Sequence, residues 1–429
     1  MSQTVQIDVH HITRVEGHGN IVVDVRKGKL VKCDLEIVEA PRFFEAMLLG
    51  RPYDQASHLT SRICGICAVT HATTSLRAVE KALGVEPSAQ TKQLRKLNLF
   101  GEMLDSHILH VYMLVAPDLL GAESVVALAE TNLYAVERAL RMKKVAGDLC
   151  GVIGGRHTHP IAMTVGGFSH FPSAEALESL CERLEGMRVD LDDTVELIQS
   201  CQLPAFERET EYIALHAEGE YCFIDGEITS TEGGSWPLEE YRSITNEHMV
   251  DHSSAKHTRH QRQSYMVGAL ARYKLNHDKL RPEAQAAAAA LGLTPDCANP
   301  YMITVAQVVE LVHCLEEAIN LIQQLLNQGI VTEDPVPASR LSGEGVGACE
   351  APRGTLYHHY EIQDGLVSAA NCIIPTAQNL ANIEADMRAF VPQQLGCTQD
   401  EMTMSLEMLV RAYDPCISCS AHMIKVRCV

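Results

Sequence analysis

Two short stretches near the start of the chain, Val5-Gln6-Ile7-Asp8-Val9 and Ile21-Val22-Val23-Asp24-Val25, alternate in the manner of strands, and Lys27-Gly28-Lys29 offers a hairpin turn. This pattern predicts a small β-sheet. From about residue 42 the apolar period lengthens to that of a helix, with long segments near 60–83, 90–116, 121–149 and 173–199 that predict a bundle. An acidic, turn-rich stretch from Asp225 to Gly234 is followed by a basic, histidine-rich one from His252 to Arg262, and helices resume near 263–276 and 303–328. After Gly354 a hairpin-like stretch precedes a final helical region. The expected fold is mainly α with a small N-terminal β-sheet, an α+β protein built on a central bundle of long helices. Its expected parts are a β-rich segment 1–60, a helical core 61–335 and a C-terminal segment 336–429, integrated in one subunit.

Composition narrows the function. With 429 residues, 46% of them hydrophobic, the chain can keep an internal pocket dry. Its 35 basic against 55 acidic residues give a net charge of -20, and without a Lys/Arg-rich run this excludes a nucleic-acid partner. No run of about 18 apolar residues and no signal-peptide pattern occurs, so a soluble, cytoplasmic protein without membrane insertion is expected. Fifteen cysteines scattered through a chain of this kind should stay reduced, and most of them, such as Cys181 and Cys314, read as small core residues.

Four cysteines stand apart: Cys64 and Cys67 in Ser-Arg-Ile-Cys-Gly-Ile-Cys, and Cys416 and Cys419 in Asp-Pro-Cys-Ile-Ser-Cys. If Cys64 begins a helix, Cys67 and His71 share its face at helical spacing. Asp414 reads as an N-cap and Pro415 as the first helical residue, which puts Cys416 in a first turn where the helix dipole lowers a thiol pKa. Four thiolates select zinc, nickel or iron and not magnesium. Structural zinc, a redox dithiol and an iron–sulfur cluster all remain open on this ground. Pairs at opposite ends of the chain do not suit a zinc ribbon, whose pairs sit about 15–20 residues apart. The histidine group at 252–262 is expected to be a polar surface or subunit contact, because no thiolate or carboxylate recurs there at ligand spacing.

The order of the short motifs resembles the large, catalytic subunit of nickel–iron hydrogenases. The resemblance runs from Ile12-Thr13-Arg14-Val15-Glu16-Gly17-His18 through Arg62-Ile63-Cys64-Gly65-Ile66-Cys67, Gly154-Gly155-Arg156-His157-Thr158-His159-Pro160, Glu350-Ala351-Pro352-Arg353-Gly354 and Pro375-Thr376 to Asp414-Pro415-Cys416. It implies an enzyme that cleaves dihydrogen reversibly and heterolytically at a nickel–iron centre whose iron carries carbonyl and cyanide. It also implies that Cys64 and Cys416 are terminal nickel ligands and that Cys67 and Cys419 bridge to iron. Cys416 would be the base for the proton, Glu16 would pass it outward as a carboxyl whose pKa is raised by burial, and Arg353 would overhang the open face. Ala351, Pro352, Pro375 and Thr376 would receive the cyanides, and His71 would hydrogen-bond a bridging sulfur. A second, hard ion, Mg2+ or Fe2+, would be held by Glu45, His422 and a carbonyl near Cys372. Cys349 and Cys372 are expected close to the active site.

Two departures from the family pattern stand out. A carboxylate that many members carry directly before the histidine of Asp105-Ser106-His107 is replaced here by Ser106, with Asp105 one position away. The tail Met423–Val429, of a kind that members lose after nickel insertion, is short. Competing readings are a nickel-free quinone-site scaffold, a structural zinc protein and a dihydrogen sensor; the quinone-site relatives lack the four cysteines. The resemblance further implies an iron–sulfur small subunit as partner, because this chain has no second cysteine cluster to conduct electrons. Further flavin or iron–sulfur subunits would serve NAD(P), ferredoxin, a deazaflavin or a disulfide reductase.

Overall fold

The computed structural model describes residues 4–421. The alternating N-terminal segments form an antiparallel sheet, β1 (Val5–Val9), β2 (Gly19–Arg26) and β3 (Lys29–Ile37), in that spatial order. Ile21, Val23 and Val25 of β2 turn inward on one face, as a two-residue period requires.

A short helix α1 (Phe44–Leu48) leads to the helices of the body: α2 (Ala68–Leu83), α3 (Ala89–Ile108), α4 (Leu133–Gly154), α5 (Ala174–Ser200) and α6 (Met302–Gln328). Ser88, Asn132 and Ser173 cap α3, α4 and α5 by accepting from backbone N–H groups in the first turn. α6 is the buried centre, packed against α3 and α5, while α4 covers the other side of α3. The segment predicted at 90–116 is α-helical only to Ile108 and continues as a π-helical stretch, Leu109–Val115. The segment predicted at 121–149 is divided at Asn132.

Beyond the bundle lies a second antiparallel sheet, β4 (Gly343–Ala351), β5 (Gly354–Gln363) and β6 (Leu366–Ile373), with β5 central. Only its hairpin character was legible, because β4 is rich in small residues buried on both faces and shows no alternation. β4 lies directly on α2. A Cβ at Gly345 would sit 2.3 Å from the Ala78 carbonyl oxygen, so this approach of strand to helix requires glycine. The chain then runs through α7 (Pro375–Phe390) and α8 (Gln399–Ala412) to a single turn, α9 (Ile417–Ser420). Among the described residues no helix is long and apolar enough to cross a membrane.

Candidate metal centre

The two ends of the chain meet. The sulfurs of Cys64, Cys67, Cys416 and Cys419 all lie within 4.8 Å of one another, with Cys64 to Cys416 at 3.5 Å and Cys67 to Cys419 at 3.9 Å. All four residues are buried. A tetrahedral thiolate cage with metal–sulfur bonds of about 2.3 Å places its sulfurs roughly 3.8 Å apart; the two separations between the pairs suit one first-row ion, while Cys416 and Cys419, at 2.6 Å, would have to part to bind it.

The pairs do not sit in helices as predicted: of the four cysteines only Cys419 lies in one, the single turn α9. Cys64 is extended, and α2 begins only after Cys67, which is its N-cap residue. The reason is local: the Cys64 sulfur accepts from the N–H groups of Ile66 and Cys67, and the chain wraps around the thiol instead of coiling. At the other end Asp414 is left-handed (φ 50°), so α9 starts after Cys416 and not before it. The strand at Glu16 takes the first N–H groups of α9: Ile417 N–H donates to the Glu16 carbonyl (2.9 Å) and Ser418 N–H to its carboxylate (3.1 Å). Burial pushes the Cys416 thiol pKa up, against the lowering expected from a helix dipole. Cys64 is instead the thiol held low, by hydrogen bonds from Cys416, Cys419 and Cys67.

Against the sulfurs lies a small cavity of about 10 Å³ lined by His71, Ala351, Arg353, Pro375 and Thr376 among others. Pro352 and Arg353 form the two-residue turn between β4 and β5, which carries the guanidinium to the cage. Asp414 fixes it there: Nε donates to the Asp414 carbonyl at 2.6 Å and Nη2 to its carboxylate at 2.8 Å. Nη1 is buried without a hydrogen-bond partner among the described residues. The Thr376 hydroxyl accepts from Cys416 N–H (2.9 Å), which leaves its own proton to donate. His71 contacts His358 (3.1 Å), which contacts the Tyr360 hydroxyl (2.6 Å). An unpaired guanidinium donor beside four thiols suits a centre with an open position and anionic ligands, and a closed structural zinc site has no use for it.

Other predicted residues fall into place around this core. Glu45, in α1, accepts from Cys372 N–H at 2.6 Å. Cys372 and Cys349 are buried in the β4–β6 sheet and do not line the cavity. His422 and the tail lie outside the described residues. Ser106 offers no carboxylate, and Asp105 is turned away to Lys143 at 2.7 Å; the carboxylate beside Arg353 is Asp414 instead. Sequence reading took Asp414 for a cap and missed this role. It also missed Glu39, which accepts from the Ser418 hydroxyl (3.1 Å) and His18 N–H (2.8 Å) just beyond Glu16. No local pattern marks Glu39. Glu102 was likewise missed: fully buried, it receives the N–H groups of Val69 and Thr70 at the start of α2, and burial raises its pKa to about 8.

A profile of the nickel-dependent hydrogenases matches residues 42–132 and 228–422. The alpha subunit of sulfhydrogenase 1 from Pyrococcus furiosus is 34% identical over 98% of each chain. The beta subunit of the NAD-reducing hydrogenase HoxS from Cupriavidus necator is 26% identical over 99% of this chain and 96% of its own. A solved NAD+-reducing [NiFe]-hydrogenase in the H2-reduced state superposes with a TM-score of 0.87 at 27% identity, covering 97% of this chain and 99% of that one. A cage of four thiols joined from both chain ends, in this fold, defines a hydrogenase large subunit. The chain belongs to the nickel-dependent hydrogenase family.

Proposed function

We propose that this subunit cleaves dihydrogen reversibly at a nickel–iron centre that Cys64, Cys67, Cys416 and Cys419 would hold. The observation that carries this reading is the convergence of four buried sulfurs beside a small cavity lined by Arg353, whose Nη1 is buried and unpaired among the described residues. A bound nickel–iron centre with carbonyl and cyanide on iron supplies the electrophile at which dihydrogen divides heterolytically. Arg353 polarises the reacting space with a guanidinium held still by Asp414. Thr376, Ala351, Pro352 and Pro375 form the wall that accommodates the small anionic ligands, and His71 tunes a bridging sulfur. Cys416 takes the proton, and Glu16, packed against the backbone at Cys416–Ser418, carries it outward towards Ser418 and Glu39. Glu45 and a carbonyl near Cys372 hold a Mg2+ or Fe2+ ion with His422.

Electrons leave to an iron–sulfur small subunit docked near Cys64 and Cys67, and from there to flavin or iron–sulfur subunits in the cytoplasm. Sequence kinship with subunits of sulfhydrogenase and NAD-reducing hydrogenase supports this partner class. Metal analysis with infrared spectroscopy tests the centre: nickel and iron with carbonyl and cyanide bands are expected, and zinc alone in active material would refute it. Glu16→Gln should leave those bands in place and lower hydrogen–deuterium exchange by about 10²-fold or more, as loss of a proton-transfer group does. Full exchange activity in that variant would remove Glu16 from the path.

A further inference from the structure

The histidine-rich loop, judged on sequence a mere surface because it lacked a nearby carboxylate, is given one by the fold. Glu384, from the third turn of α7, is placed against His252 and His257, and one ligand atom from each of the three lies within 4.8 Å of the others. His252 Nε2 and the Glu384 carboxylate are 2.6 Å apart. His257 is 96% buried, and among the described residues its Nε2 has no hydrogen-bond partner. A buried imidazole nitrogen left unpaired is a desolvation penalty the fold should not carry without an occupant.

We infer that His252, His257 and Glu384 form a second metal site, separate from the nickel–iron centre, that takes a borderline divalent transition-metal ion of the Zn2+ class. Two imidazoles and one carboxylate, with water in the fourth position, are an ordinary donor set for such an ion. The proton shared by His252 and Glu384 is what the ion replaces. Coordination needs donors roughly 3.3 Å apart, so the pair opens slightly and His257 moves in. The charged groups facing the site are Arg388, on Glu384 at 3.2 Å, and Asp34, which Arg388 also meets at 3.2 Å. The guanidinium is therefore shared between two carboxylates, and Lys32 also meets Asp34, at 3.5 Å.

The site ties three pieces together. Leu35 N–H on the edge strand β3 donates to Glu384 (3.1 Å), the loop is bound to β3 through Ser254 N–H and the Ile37 carbonyl (2.9 Å), and Glu384 belongs to the helix that begins at the nickel–iron chamber. The ion is thus a clasp between the N-terminal sheet and α7. The test is zinc analysis and zinc-edge X-ray absorption on the intact enzyme complex. About one zinc per large subunit is expected with a nitrogen and oxygen shell free of sulfur, and His252→Gln should lower that zinc roughly tenfold or more with nickel unchanged. His252 is partly exposed, so this variant should fold; His257→Ala is the stricter companion. Absence of nitrogen- and oxygen-bound zinc after incubation with micromolar Zn2+ would overturn the inference, as would zinc retained in both variants or zinc found only on sulfur.

Discussion

Arg353 shows how one side chain is made into a tool. Its Nε and Nη2 are occupied by Asp414, and Asp414 is itself held on its other oxygen by Gln307 at 3.3 Å, so the guanidinium beside the cage has no freedom to swing, and among the described residues its Nη1 is unpaired. A lysine cannot reproduce this, because an ammonium lacks the planar fork that binds Asp414 while presenting a third donor. Arg353→Lys should keep nickel and iron occupancy and lose about 10²–10³-fold in hydrogen-oxidation rate, the scale set by removing a preorganised donor. Wild-type turnover in that variant would show the guanidinium to be structural. Glu102 gives a prediction of opposite kind. Burial lifts its pKa from an ordinary 4.5 to about 8, so it folds as the neutral acid; its share of stability is whole below about 4.5 and is lost as pH rises through about 8. Glu102→Gln should therefore flatten the fall of the thermal midpoint between those pH values, and an unchanged slope would show that Glu102 folds ionised.

Elements differ in how openly they declare themselves. β2 and α3 were legible because one face of each is apolar at a fixed period and polar caps mark the helix start. β4 was not, since a strand buried on both sides and pressed on α2 through Gly343, Gly345 and Gly347 has no polar face to read. The cysteine pairs were found with the right partners but in the wrong local structure: spacing revealed the ligands, while the N–H groups that turn towards the Cys64 sulfur and the Glu16 strand could not be seen in one dimension. Glu384 and the histidine loop are the extreme case, a cluster made entirely by tertiary contact. Close packing of β4 on α2 carries its own test. Gly345→Val must push α2 off the sheet, because its Cβ would lie 2.3 Å from the Ala78 oxygen. A loss of about 1–3 kcal/mol in unfolding free energy is expected from such overpacking, together with weaker nickel retention since α2 begins at Cys67. Unaltered stability would mean that the strand yields and the helix does not depend on it.

At the scale of the molecule, the same four sulfurs that make the centre also close the chain upon itself. A small zinc domain unfolds when its metal is removed, because the ion replaces a core. Here the helix bundle has its own core, with α3, α4 and α6 packed independently of the cage, so the metal is not needed to fold most of the chain. What it does stabilise is the meeting of the ends. Around Glu16 and Cys416–Ser418 the protein offers a single parallel bridge and a handful of polar contacts, and without an ion the four buried thiols must share protons in a space made for thiolates. Metal-free protein should therefore keep native helical content and a cooperative melt, while amides at 14–18 and 414–421 lose hydrogen-exchange protection selectively and those of α6 do not. Uniform loss of protection through α6 would show instead that the metal holds up the whole fold. Equal protection of the two ends with and without metal would show that the polypeptide alone closes the cage, and that nickel is received by a finished site.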